Sequence, residues 1–193
     1  MTEKTADQWT VLEKQTVLQH PFLRVEMEKL LLPDGRIIPD WPIVHMREYV
    51  NAFVMNEANE VLIFEGYKHG PDRAGWQVLG GYVEKGEAPL AAVQRELLEE
   101  TGLQSSEWEH LGSYVTDANR RGGLGHFFIA RRVQSVGQGQ DDENETSTAK
   151  WVSLEQVQAA LFDGRFISLT YAVSTALGLI RLLQHETQRK EGS

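Results

Sequence analysis

The sequence contains no cysteine. That excludes disulfides, thiolate zinc sites and a cysteine nucleophile. No apolar run approaches the ~18 residues that a membrane span needs. The opening MTEKTADQWT has neither the basic region nor the apolar core of a secretory signal, so a cytoplasmic protein is expected. Positive charge is scarce as well: 19 Lys and Arg stand against 28 Asp and Glu, a formal charge of −9. Binding to a nucleic-acid backbone rests on clustered Lys and Arg, so neither a nucleic acid nor a membrane is expected as partner. The six histidines include no pair at zinc-ligand spacing.

What is present is ordinary for a soluble globular protein. The 193 residues are 41% apolar and 24% charged, enough for one domain with a substantial core and a small appendage. The most structured stretch is Gly81–Leu103, GYVEKGEAPLAAVQRELLEETGL. Pro89 suits the first turn of a helix, where its missing N–H has no partner to lose. Leu90, Val93 and Leu97, with Ala91 and Leu98 beside them, give an apolar face at helical spacing. Gly102 supplies the stop, because glycine takes the left-handed cap without penalty.

Glu96, Glu99 and Glu100 therefore share the last turn. A helix C-terminus carries partial negative charge and disfavours each carboxylate by a few tenths of a kcal/mol up to ~1. Arg95 is the one cation nearby in sequence. A hard divalent cation reverses that balance, and oxygen-only ligation suits magnesium with a phosphate substrate. The alternative is a solvated acidic face.

The stretch resembles the Nudix box, Gx5Ex7REUxEExGU with U aliphatic, and every specified position matches. At ordinary residue frequencies a chance match is ~10⁻⁷ or rarer. The resemblance implies a loop–helix–loop that binds divalent metal and hydrolyses a nucleoside diphosphate linked to another group. By matching position, Glu96 and Glu100 are the main metal ligands with Glu99 beside them, joined by the backbone carbonyl of Gly80. Arg95 orients the carboxylates and Glu87 braces the loop, while Gly81 and Gly102 are structural. The expected cofactor is Mg²⁺, with Mn²⁺ as substitute.

WTVLEKQTV, LPDGRIIPDW, VLIFEGYKHG and FDGRFI look like ADP-ribose pyrophosphatases and related nucleotide-sugar hydrolases. That branch implies a homodimer whose N-terminal strands cross to the partner. Trp9 and Trp41 stand where aromatics stack on adenine, the alternative being ordinary packing. Lys68 matches a basic position near the substrate phosphates, or is a solvated loop lysine. The branch also keeps a glutamate in the loop before the late strand, which places metal or deprotonates water. Counting back from Trp151-Val152-Ser153 gives Glu145, with Glu143 second. Two departures bear on the terminal group. Gln77-Val78-Leu79-Gly80 replaces Glu-Leu-Pro-Ala or Glu-Leu-Pro-Gly, and Ala118-Asn119-Arg120 replaces an expected proline. Arg120 or Arg121 is then a candidate phosphate contact.

In fold class the expectation is α/β: a Nudix α/β/α sandwich around a mixed sheet, with a small N-terminal β-meander. Residues 1–46 are expected as the extension and dimerisation arm, and residues 47–193 as the hydrolase domain. Strands are expected over 23–32, 36–46, 50–55, 61–67, 76–79, 108–116, 124–133 and 149–152. Loops are expected at 68–75, 117–123 and 134–147. A helix follows the Ser153/Gln156 capping box to about Phe162, and another spans Ile167–His185. Pro39 and Pro42 should keep their strand at a sheet edge. Glu87 stands where a P-loop needs lysine, and no third glycine completes a dinucleotide fingerprint at Gly123-Leu124-Gly125. The expected function is Mg²⁺-dependent cleavage of an ADP-ribose-like nucleoside diphosphate sugar. The rivals are a Nudix hydrolase of dinucleoside polyphosphates or nucleoside triphosphates, and a nucleotide-binding regulator without catalysis.

Overall fold

The structure is a computed structural model, and it describes residues 7–139 and 147–191. In chain order the elements are β1 (Thr10–His20), β2 (Leu23–Leu31), β3 (Ile37–Met46), β4 (Tyr49–Val54), β5 (Val61–Lys68), β6 (Arg73–Gln77) and β7 (Leu79–Tyr82). Then follow α1 (Pro89–Thr101), β8 (Leu103–Gln104), β9 (Glu107–Asp117), β10 (Arg121–Arg131), β11 (Gln134–Ser135), β12 (Thr148–Val152), α2 (Leu154–Ala160) and α3 (Leu169–Glu191). They form two compact units. One comprises the described residues up to Glu48 together with Tyr114–Leu124, and the other Tyr49–Ser113 with Gly125 onward.

The smaller unit is a β-meander. β1 pairs antiparallel with β2, and β2 with β3. The Pro33-Asp34-Gly35 turn works as its residues dictate. Gly35 takes φ 86 and donates its N–H to the Leu32 carbonyl at 3.0 Å. β3 is less of an edge than its prolines predict, because the start of β10 pairs with Val44 and His45. That pairing stops short of Pro42, so neither proline is asked for a ladder hydrogen bond there. The sequence pattern assigned no element to β1. Two register shifts, between Val11 and Glu13 and between Thr16 and Leu18, break the alternation that reveals a strand.

The larger unit is the α/β/α sandwich. β10 runs parallel to β4, β4 antiparallel to β7, and β12-β5-β6 forms an antiparallel group. β4 shows why the layers form. Val50, Ala52 and Val54 join Ala92, Val93 and Leu97 of α1 in one core. Phe53 and Met55 face the other way, with Val157 and Ala160 of α2 and Leu179 of α3. Alternating Cβ directions along one strand thus feed two cores. Each fully buried aliphatic or aromatic side chain contributes about 1.5–3 kcal/mol.

Three expectations are corrected. The loop expected at 68–75 ends in β6, which is held by a later segment. Arg73 donates to the Gly164 and Phe166 carbonyls at 3.0 and 3.2 Å. Leu90 and Leu98 of α1 are exposed, as is Ala91, because its core face is the narrower stripe Ala92, Val93 and Leu97. α2 keeps its capping box but ends at Ala160, and α3 starts at Leu169, since Ile167 is drawn to a hydrogen bond with the Trp76 carbonyl.

Candidate active site

The site is built where β7 turns through a loop into α1. Pro89 opens the helix, and Gly102 closes it at φ 67, donating its N–H to the Leu98 carbonyl at 2.8 Å. In the loop, Glu87 folds back on Glu84. The Glu84 N–H donates to Oε2 of Glu87 at 2.9 Å, and the Glu87 N–H to the Glu84 carbonyl at 3.1 Å. Gly86, at φ 83, makes that reversal possible.

Arg95 is the hub. Its guanidinium grips the Glu87 carboxylate, donates to the Tyr82 carbonyl at 3.1 Å, and reaches Glu96 Oε1 at 2.9 Å and Glu99 Oε2 at 3.0 Å. One planar cation therefore ties the loop, the end of β7 and the helix. The bond from Arg95 holds the Glu87 carboxyl below its ordinary range, and the same bond pushes the Arg95 pKa up. Glu96 behaves differently. Burial pushes its carboxyl up, against the opposing pull of Arg95. Its carboxylate lies directly on Gly81, where any Cβ would collide with Cδ and both oxygens. Only glycine leaves room for a carboxylate against that strand. Glu100 is half-buried in the same last turn.

The oxygens that the sequence nominates, the Glu96, Glu99 and Glu100 carboxylates and the Gly80 carbonyl, are hard donors of the kind magnesium takes. Among the described residues no three acidic or histidine side chains already stand as an ion-binding group. The Arg95 guanidinium is bonded to both Glu96 and Glu99. The donor set fits a divalent cation that competes with Arg95 for those oxygens.

The other sequence-chosen residues are distributed. Trp9 and Trp41 meet edge to face, centroids 5.5 Å apart, in the smaller unit. Trp41 Nε1 donates to the Asn119 carbonyl at 3.0 Å, which anchors the short loop 118–120 between β9 and β10, all that the strands leave of the loop expected at 117–123. Arg120, in that loop, is exposed and stands 3.8 Å from Asp117. Lys68, in the larger unit, ends β5 opposite Arg73. Glu143 and Glu145 lie outside the described residues. The flanks of their segment are placed within the larger unit. Gly139 packs on the Glu100 backbone so tightly that a Cβ would meet its carbonyl oxygen, and Ser147 packs likewise on Gly66.

The profile of the NUDIX domain family matches residues 45–170. The chain is a Nudix hydrolase. A second profile, the nucleoside diphosphate sugar hydrolase N-terminal domain, matches residues 9–44 of this Nudix hydrolase. Among its relatives is CMP-5'-(N-acetyl-N-hydroxy-3-aminopropyl)phosphonate hydrolase of Streptomyces rubellomurinus, 27% identical over 91% of this chain and 82% of that one. An ADP-ribose pyrophosphatase of Mycobacterium tuberculosis is 21% identical over 81% of this chain and 76% of its own length. A crystal structure of an ADP compounds hydrolase superposes with a TM-score of 0.79 at 19% identity, covering 95% of this chain and 98% of that one, a likeness of fold. Among the described residues no helix of the Nudix hydrolase is long and apolar enough to cross a membrane.

One residue at the site escaped the sequence reading. Asn51 is buried in β4 against Gly80, and its Nδ2 donates to the Leu79 carbonyl at 3.3 Å. Its signal was a lone amide inside the apolar run VNAFVM.

Proposed function

We propose that this hydrolase cleaves the diphosphate of a nucleoside diphosphate sugar of the ADP-ribose kind, releasing a nucleoside monophosphate and a sugar phosphate. The observation that carries the reading is the box geometry. Arg95 gathers Glu87, Glu96 and Glu99 where β7 leads into α1, with the Glu96 carboxylate against Gly81. The 9–44 profile, named for nucleoside diphosphate sugar hydrolases, narrows the class. Glu96, Glu99, Glu100 and the Gly80 carbonyl hold Mg²⁺, or Mn²⁺ in its place. When bound, the metal neutralises charge on the diphosphate and orients it. Arg95 holds the carboxylates in place, and Glu145, with Glu143 as second candidate, takes the proton from the attacking water. Trp9 and Trp41 offer aromatic faces for the base, and Lys68 and Arg120 cations for the phosphates.

The reading includes a homodimer joined through the N-terminal meander. β1 supports it. This eleven-residue strand ends the order of its sheet and exposes Val11, Leu12, Val17 and Leu18, a ready template for a second chain.

A second reading has its own support in the Streptomyces relative, whose named substrate joins CMP to a phosphonate. Both readings release a nucleoside monophosphate and differ in the group that leaves with it. The test is a panel assayed with Mg²⁺ and with Mn²⁺: ADP-ribose, other nucleoside diphosphate sugars, a CMP-linked phosphonate, a dinucleoside polyphosphate and an oxidised nucleoside triphosphate. The proposal expects the highest kcat/KM for ADP-ribose or another diphosphate sugar. Preference for the triphosphate or polyphosphate would overturn it, and nucleotide binding without turnover would establish a regulator.

A further inference from the structure

Gly80 and Gly81 are consecutive strand residues, so their α-carbons present opposite faces of the sheet. Both faces are occupied at contact distance. A Cβ on Gly81 would collide with the Glu96 carboxylate, and a Cβ on Gly80 would collide with Asn51 Nδ2. Two adjacent glycines are the softest backbone in β7, because neither has a side chain to restrict φ and ψ. The peptide joining Leu79 to Gly80 is nevertheless pinned from the Asn51 side, where Nδ2 donates to the Leu79 carbonyl at 3.3 Å.

The other end of Asn51 makes the arrangement unusual. The residue is 3% exposed, in register with Gly80, and Oδ1 has no protein hydrogen-bond partner among the described residues. A buried acceptor left unpaired is destabilising, so an apolar side chain of the same size would serve the core better. The side-chain amide is buried there at a cost, and its only hydrogen bond among the described residues runs to the Leu79 carbonyl, in the peptide that precedes the Gly80 carbonyl.

We infer that Asn51 is a positioning residue for the metal-binding carbonyl of Gly80. It fixes the Leu79–Gly80 peptide, which leads into the Gly80–Gly81 peptide that bears this carbonyl, from one face while Glu96 packs on Gly81 from the other. This rests on the reading of the box as a divalent-metal site. Outer-sphere partners of this kind typically change metal affinity by roughly 10–100-fold when removed.

The experiment compares the full chain with Asn51→Leu and Asn51→Ser by metal-free melting and by Mn²⁺ titration followed by electron paramagnetic resonance. Asn51→Leu removes the orphaned acceptor together with the donor. It is expected to melt no lower than the parent without metal, yet to bind Mn²⁺ roughly 10–100-fold more weakly. Asn51→Ser keeps a shorter donor and is expected to fall between the two. Parental Mn²⁺ affinity in Asn51→Leu overturns the inference. Should Asn51→Leu fail to fold, Asn51→Ser decides: weakened affinity with unchanged melting supports positioning, and parental affinity overturns it. If the parent itself binds no Mn²⁺, the metal reading of the box has failed, and this inference goes with it.

Discussion

Arg95 grips Glu87 through two parallel hydrogen bonds, Nε to Oε1 at 3.0 Å and Nη2 to Oε2 at 3.1 Å. A fork of that shape is specific to guanidinium. Arg95→Lys keeps the charge but loses the fork. It is expected to lower stability by about 1–3 kcal/mol in urea titrations. Activity on the preferred substrate should fall roughly 10–100-fold, because the loop and carboxylates lose their common anchor. Unchanged activity in a folded Arg95→Lys protein would show that the hub only braces the loop.

On the proposed metal assignment, a divalent cation would relieve the crowding of Glu96, Glu99 and Glu100 at a helix C-terminus. At a hundredfold excess over Kd, Mg²⁺ or Mn²⁺ is expected to add roughly 2.7 kcal/mol, a rise in Tm of about 5–10 °C. Glu100→Gln should blunt that rise. Equal shifts in the two proteins, measured by calorimetry, would remove Glu100 from the ligand set.

Assembly offers an independent check. If the N-terminal meander joins two chains, the full-length protein sediments as a dimer at micromolar concentration. Deletion of residues 1–45 should then yield monomers or aggregate. A full-length monomer in sedimentation velocity would count against the shared arm.

General-base contributions are typically ~10²–10⁴-fold, so Glu145→Gln is expected to lower kcat by that order with little change in KM. Glu143→Gln changes the charge of the same segment equally and serves as control. Loss in Glu143→Gln alone would move the assignment by two residues. Full activity in both would return the base to the box, with Glu99 the candidate.

Glu109 accepts hydrogen bonds from Arg181 and Arg131, and His185 stands beside it. The Arg181 bond holds its carboxyl below the ordinary value of 4.5. A lowered pKa in the folded state contributes stability that is complete above the unfolded value and lost as pH falls through the folded one. Urea titrations should therefore show stability dropping below about pH 4.5, and Glu109→Gln should flatten that slope. It should also cost roughly 1–2 kcal/mol near neutrality. An identical acid slope in the variant would place the titration elsewhere.

Sequence alone was sufficient for the box, its helix and the α/β class. Those signals are local: Pro89 and Gly102 delimit the helix, a fixed spacing puts Glu96, Glu99 and Glu100 on one turn, and alternation marks the inner strands. Distant contacts decided the rest. β1 was hidden because its register shifts twice against β2 and it is exposed along nearly its whole length, so it carries no alternation that a window can read. β6 exists because it pairs along its length with β5, and Gly164 and Phe166 supply the carbonyls that hold Arg73 at its start. The apolar face of α1 is narrower than its leucines suggest, since the sheet reaches Ala92, Val93 and Leu97 but leaves Leu90 and Leu98 outside. Asn51 gains its meaning only across the strand, from the carbonyl and the glycine it meets there. Periodicity records which residues share a face. It carries no record of what stands opposite, and that is settled when the chain closes on itself.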